Sequence, residues 1–143
     1  MSNFKSLLET GLFVRNLSKA RDFYQQVLGL KKLRESEVGC LFMVAPGQLL
    51  LLITCEKARI PSQTPGGEVP PCATVAQPTS GPGHVAFAVA EEELDDWRAR
   101  LELHGIEVLS EVAWEERGRS IYFRDPDLHL IEIATPGIWG LDW

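Results

Sequence analysis

The chain has 143 residues, 45% of them apolar and 24% charged, with a formal net charge of -6. That fits one ordinary globular domain or two small modules sharing a core, able to bury most of its apolar surface without disulfide staples. The acidic balance and the absence of Lys/Arg patches argue against a nucleic-acid surface and lean toward neutral or cationic ligands.

Residues 7–14 carry strand-like apolar side chains and stop at Arg15-Asn16-Leu17-Ser18, where Asn16 or Ser18 can cap a helix by accepting from first-turn amides. Leu17, Ala20, Phe23, Tyr24, Val27 and Leu28 then recur at three- and four-residue spacing, with Lys19, Arg21, Asp22, Gln25 and Gln26 on the opposite side. This predicts an amphipathic helix, ended by Gly29 in the left-handed conformation. Three strands are expected over 31–35, 40–44 and 48–54, with turns at Glu37-Val38-Gly39 and Pro46-Gly47.

Residues 56–80, which hold five prolines and the Gly66-Gly67 pair, show no periodicity. They are expected to form a linker or a functional loop, crossing the outside of the domain or the mouth of a site. The pattern then starts again. A strand is expected over 83–89, a helix over 91–103 with Leu94, Trp97 and Leu101 on one face, then Gly105 and strands near 107–111, 119–124 and 128–134. Glu91, Glu92 and Glu93 read as a solvated helix start that favours the dipole. The tail, 136–143, is apolar for a terminus and is expected to pack on this chain or on a second subunit. Cys40, Cys55 and Cys72 form an odd set without a Cys-x-x-Cys pair, which reads as reduced thiols. Residues 1–9 lack a signal-peptide core, and the longest aliphatic run, 49–53, is far too short to span a bilayer. The expectation is a cytoplasmic protein.

The two halves read as one unit written twice. Gly81-Pro82-Gly83-His84 runs into the alternating strand Val85-Ala86-Phe87-Ala88-Val89, and Glu9-Thr10-Gly11-Leu12-Phe13-Val14 repeats it, Glu9 falling on His84, Leu12 on Phe87 and Val14 on Val89. Pseudo-twofold symmetry would place Glu9 and His84 alike, so a site between the halves would draw on both.

This repeat, closed by Asp125-Pro126-Asp127-Leu128-His129-Leu130-Ile131-Glu132, resembles the vicinal oxygen chelate superfamily of glyoxalase I, extradiol dioxygenases, fosfomycin resistance enzymes and bleomycin-binding proteins. The resemblance covers essentially the whole chain and is most specific over 17–30, 81–89 and 122–132. It implies an α+β fold, a single domain of two βαβββ repeats forming paired half-barrels. The modules are 5–55 and 81–135, joined by 56–80 and followed by the tail 136–143. It also implies a homodimer and one divalent metal ion (Mn, Fe, Ni or Zn).

Carried over by position, the family's first, third and fourth ligand places fall on Glu9, His84 and Glu132. The second falls on Leu51 or Leu52, neither of which has a ligand atom, and Glu56 could substitute only if the strand were offset. Leu128 stands where the family's turn usually has Gly, which makes that turn costlier. Two carboxylates and one imidazole leave a divalent ion formally neutral, which disfavours a phosphonate substrate of the fosfomycin kind. Glu9 also stands where an extradiol-type iron site would need its second His, so oxygen chemistry is less favoured.

Each residue has a simpler reading. Glu132, flanked by Leu130, Ile131, Ile133 and Ala134, is costly to bury unpaired, unless it faces solvent. His84 could merely cap its own turn, and Glu9 could be an ordinary edge-strand carboxylate. The repeat favours metal ligation for all three. His129 reads as a turn residue and His104 as a helix C-terminal group. Tyr122 is a candidate hydrogen-bond donor to a bound oxyanion. Surface pairing fits Arg119 and Arg124 better than a site role, and Cys72 is an inert loop thiol unless it closes over a ligand. Phe23 and Trp97 read as core. Trp114, Trp139 and Trp143 fit either an aromatic ligand wall or a subunit contact.

The resemblance thus implies a divalent-metal-dependent enzyme acting on a small molecule with adjacent oxygens, the metal as Lewis acid. Glu9 or Glu132 could detach to shuttle a proton. The alternative is a metal-free module that sequesters a small molecule, as bleomycin-binding proteins do.

Overall fold

A computed structural model of the chain describes residues 5–73, 81–115 and 117–143, which fall into two compact units, Met1–Gly81 and Pro82–Trp143. In the first unit, strand β1 (Glu9–Val14) is followed by helix α1 (Leu17–Asp22), whose first turn is capped by Asn16: its Oδ1 accepts from the Lys19 amide at 3.0 Å. The expected single helix instead widens into a π-helical turn over Phe23–Val27 before Gly29, at φ 70°, ends it. The apolar stripe is buried as its spacing required: Ala20, Phe23, Tyr24, Val27 and Leu28 all face the core.

Strands β2 (Lys31–Glu35), β3 (Gly39–Ala45) and β4 (Gln48–Thr54) complete a four-stranded sheet in the order β1-β4-β3-β2. The β1–β4 pair is parallel and the other two pairs antiparallel. A parallel pair needs a crossover, and α1 lies within it. Strand alternation then divides β4. Leu50 and Leu52 are buried in the core, while Leu51 and Ile53 face a cavity on the other side.

The second unit has the same arrangement. Strand β7 (His84–Ala88) leads through a 3-10 turn (Glu91–Glu93) into α2 (Leu94–Leu103), then β8 (Ser110–Ala113), β9 (Arg119–Arg124) and β10 (Leu130–Ala134). The sheet order is β7-β10-β9-β8, with β7 and β10 parallel. Leu94 and Leu101 of α2 are fully buried, but Trp97 is only half-buried, with the Arg100 guanidinium 5.6 Å from its ring centroid. Strand β8 starts later than expected. The chain after Gly105 first closes the helix, the Ile106 amide donating to the Leu101 carbonyl at 2.9 Å.

Part of the segment expected to be an irregular loop is ordered. Lys57–Arg59 form a 3-10 turn, and Ser62–Thr64 (β5) pairs antiparallel with Gly67–Val69 (β6). Pro65 and Gly66 supply its hairpin turn, and the Thr64 hydroxyl donates to the Gly67 carbonyl at 2.7 Å. The remainder, 74–80, lies outside the described residues. The tail packs only in part: Ile138 is buried and the Trp143 indole donates to the Val89 carbonyl at 3.1 Å, whereas Trp139 is 87% exposed. Among the described residues no helix is long and apolar enough to cross a membrane.

Candidate functional site

Strand β10 is buried on both faces. Ile131 and Ile133 belong to the core, and the opposite face carries Glu132, whose side chain is only 8% exposed. A carboxylate so placed must be paired, and it is. Its Oε1 accepts from the Ser120 hydroxyl at 2.6 Å and from the Tyr122 hydroxyl at 2.9 Å. Both donors come from the neighbouring strand, where Tyr122 is the register partner of Glu132. Ser120 in turn accepts from the Trp114 indole N–H at 3.0 Å, so the carboxylate stands at the end of a hydrogen-bonded chain. Burial, reinforced by the hydrogen bond to Glu132, raises the Tyr122 phenol above its ordinary value and keeps it a donor well beyond neutral pH. That hydroxyl, proposed from sequence as a donor to a bound oxyanion, is engaged by Glu132.

The other oxygen, Oε2, faces His84 Nε2 at 3.3 Å. His84 opens β7 beside Leu130, and its Nδ1 lies 2.9 Å from the Leu130 carbonyl oxygen. A carbonyl can only accept, so a proton sits on Nδ1, and Nε2 is the ring nitrogen turned toward the carboxylate. Two electron-rich atoms at that separation need a cation between them, either a proton or a metal ion. The spacing suits a metal: donors each about 2.1 Å from one ion and subtending about 90–110° are about 3.0–3.4 Å apart. The backbone bond at Nδ1 and the hydroxyls at Oε1 are the kind of outer contacts that orient ligating groups. His84 and Glu132 therefore fit a divalent ion.

His129, set aside as a turn residue, is 3% exposed and accepts the Gly83 amide at Nδ1, 2.7 Å away. It thereby fixes the backbone immediately before His84. A histidine ending the Asp125-to-His129 turn was the only sequence signal for this contact. Arg119 pairs with Glu111, and Arg124 Nη1 donates to the Leu128 carbonyl at 3.0 Å; neither touches the His84–Glu132 pair. His104 terminates α2.

In the first unit Glu9 opens β1, and among the described residues its carboxylate has no hydrogen-bond or ion-pair partner. The registers settle which leucine stands at the second ligand place. Glu132 lies beside Ala86, two residues after His84, and Leu51 lies beside Gly11, two residues after Glu9. Leu51 is the counterpart of Glu132, whereas Leu52 is in the core. Glu56 offers no substitute there, because β4 keeps register with β1 through Thr54 and Glu56 is exposed in the following turn. Within neither unit do three His, Cys, Asp or Glu side chains cluster among the described residues. Glu9, Gly11, Phe13, Leu41, Leu51 and Ile53 instead line a cavity of about 740 Å³ on the open face of the first sheet, with Cys72 also on its lining.

The chain is 31% identical over 123 residues to the metallothiol transferase FosB of Staphylococcus saprophyticus, a match covering 85% of this chain and 71% of that protein. The fosfomycin resistance protein FosX of Listeria monocytogenes is 43% identical over 51 residues, 35% of this chain and 38% of that protein. Shorter matches to further metallothiol transferases span 37% of those relatives. Among solved structures, a lactoylglutathione lyase from Agrobacterium tumefaciens has a TM-score of 0.83 at 26% identity, over 98% of this chain and 100% of that one. The model of the Glyoxalase/Bleomycin resistance protein/Dioxygenase superfamily matches residues 6–133. With its two β-α-β-β-β units and a match across most of its length, this chain belongs to that superfamily.

Proposed function

We propose that the chain is a divalent-metal-dependent enzyme that adds or rearranges a thiol compound on a small molecule with two adjacent oxygens. The observation that carries this reading is the facing pair His84 Nε2 and Glu132 Oε2, each locked from behind by a hydrogen bond. Thiol chemistry rests on the names of the relatives, a metallothiol transferase and a lactoylglutathione lyase. His84 and Glu132 would hold the ion, with Glu9 as the third ligand. Bound there, a divalent ion supplies Lewis acidity to the substrate oxygens.

The chain's own residues divide the remaining work. Ser120 and Tyr122 each donate to Oε1 and hold Glu132 in place, so Glu132 is poorly suited to detach. Glu9, without such anchors, is the better carboxylate to take and return a proton. Glu9→Gln is then expected to lower turnover far more than metal content, and Glu132→Gln to lower both; full turnover in Glu9→Gln would remove it from the mechanism. The neutral ligand set favours an uncharged oxygen pair, and fosfomycin, for which the relative FosX is named, is the phosphonate to set against ketoaldehydes and epoxides in a substrate screen. A homodimer in the cytoplasm is part of the same proposal.

Metal content of the purified protein, beside His84→Ala and Glu132→Ala, tests the reading. About one divalent ion per chain in the wild type, lost from both variants, is expected. No metal after incubation with Mn, Fe, Ni and Zn salts would overturn it. His84 would then be a simple partner of Glu132, and the chain a metal-free binding module.

A further inference from the structure

We propose that the open face of the first sheet binds a small organic anion with an apolar body, its acidic group held by Arg34. The cavity shares Glu9 with the metal reading, but the proposal rests on Arg34 and the apolar floor and holds whether or not a metal binds. It begins with an irregularity in β2. The register passes from Lys32 opposite Phe42 to Arg34 opposite Leu41, leaving Leu33 as an extra residue. In a regular strand Lys32 and Arg34 would share a face. The bulge separates them, as bulges re-aim side chains. Phe42 is buried against Tyr24, 6.3 Å between ring centroids, whereas Leu41 lines the cavity. Lys32 stays away from the cavity and pairs with Glu35, and Arg34 lines it.

The cavity has few other charges to offer. Glu35 is neutralised by Arg21 and Lys32, and Lys57 donates to the Pro61 carbonyl at 3.2 Å. Only Arg34 and Glu9 are without a partner among the described residues. They lie toward opposite edges of the sheet. Arg34 is level with Leu41, Leu41 with Leu51, and Leu51 with Gly11, so one row crosses all four strands. At about 4.8 Å per strand that row is about 14 Å long, a guanidinium at one end, two leucines as floor, and a glycine at the other, one pleat from Glu9. Ile60 and Val69, also on the lining, are 56% and 51% exposed, apolar surface that a ligand body would cover. The volume of about 740 Å³ lies within the range of small-molecule sites. The acidic composition leans toward cationic or neutral ligands, but an unpaired arginine over leucines selects an anion locally.

The test is equilibrium binding of 8-anilinonaphthalene-1-sulfonate and of N-phenyl-1-naphthylamine, the same aromatic body without the sulfonate, to the full chain in EDTA. Arg34 is exposed, so replacing it should spare the fold, and a melting curve serves as control. Arg34→Gln is expected to weaken the sulfonate about tenfold while leaving the neutral dye unchanged, and Arg34→Lys to keep the sulfonate within about threefold of wild type. Leu51→Trp, which fills the floor, should weaken both dyes. Equal binding of the two dyes to wild type, an unchanged sulfonate affinity in Arg34→Gln, or insensitivity of both dyes to Leu51→Trp would each overturn the proposal. EDTA keeps this outcome apart from the metal reading, whose failure shows only in metal content.

Discussion

The two units share a strand order and a register but differ in what their last strands carry. In the second unit the position beside Ala86 is Glu132, buried, held by Ser120 and Tyr122 and facing His84; in the first the matching position beside Gly11 is Leu51. One unit therefore presents a fixed pair of donor atoms, and the other an apolar floor with its single strand-head carboxylate unpaired. A duplicated fold has kept its geometry while its halves have taken different chemistry, polar and preorganised on one side, open and apolar on the other.

Making the second unit like the first is the severest way to break this contrast. Glu132→Leu removes the acceptor for two hydroxyls and one of the two facing atoms proposed to hold the ion. It should lower divalent-metal affinity more than about 100-fold, and cost about 1–3 kcal/mol of stability, read by calorimetry and chemical denaturation. The converse change, Leu51→Glu, places a carboxylate on the cavity side rather than in the core and should leave the melting temperature nearly unchanged. A large loss of stability in Leu51→Glu, or none in Glu132→Leu, would mean that the two positions are not the counterparts that the registers make them.

His129 sharpens the contrast at His84, the other side chain proposed to hold the ion. His129→Ala leaves the Gly83 amide without its acceptor, at a cost of about 1–3 kcal/mol, and loosens the backbone before His84. Metal affinity should fall by about tenfold, the scale of an outer-contact loss. His129→Asn, whose side-chain oxygen can take the Nδ1 position, should recover most of both. Recovery of stability without recovery of metal binding would reduce His129 to a turn residue.

The sequence made much of this legible because the repeat could be read twice. The strand heads Glu9 and His84, the helix stripe from Leu17 to Leu28, and Glu132 in an apolar strand all follow from spacing and from the cost of burying charge. Three things were not accessible that way. The choice between Leu51 and Leu52 depends on register, which a run of leucines cannot reveal, since every position in it is equally apolar. The bulge at Leu33 shows no local signal in Lys31-Lys32-Leu33-Arg34, yet it decides which face Arg34 takes. The partners of Glu132 lie ten and twelve residues away, on a strand whose pairing sets the contact. In the 56–80 segment, prolines and glycines hid the short hairpin, because at three residues per strand its ladder is too brief to leave a periodicity.

The smallest expected effect concerns the turn that delivers both halves of the His84–Glu132 contact. Leu128 sits at φ 68°, a conformation that crowds a side chain, with its own side chain 59% exposed. Asp125 Oδ1 accepts the Asp127 and His129 amides at 2.9 and 2.8 Å, and these bonds hold the turn closed despite Leu128. Leu128→Gly relieves the left-handed strain of about 1–2 kcal/mol, while the greater freedom of glycine in the unfolded chain takes back about 0.5–1 kcal/mol. The net should be a gain of up to about 1 kcal/mol, seen as a rise of a few degrees in melting temperature. Metal content should not move, because Leu128 is not among the residues proposed to hold the ion. A loss of stability would show that the turn depends on the leucine side chain itself, and that the exposed face of Leu128 is covered by something in the folded protein.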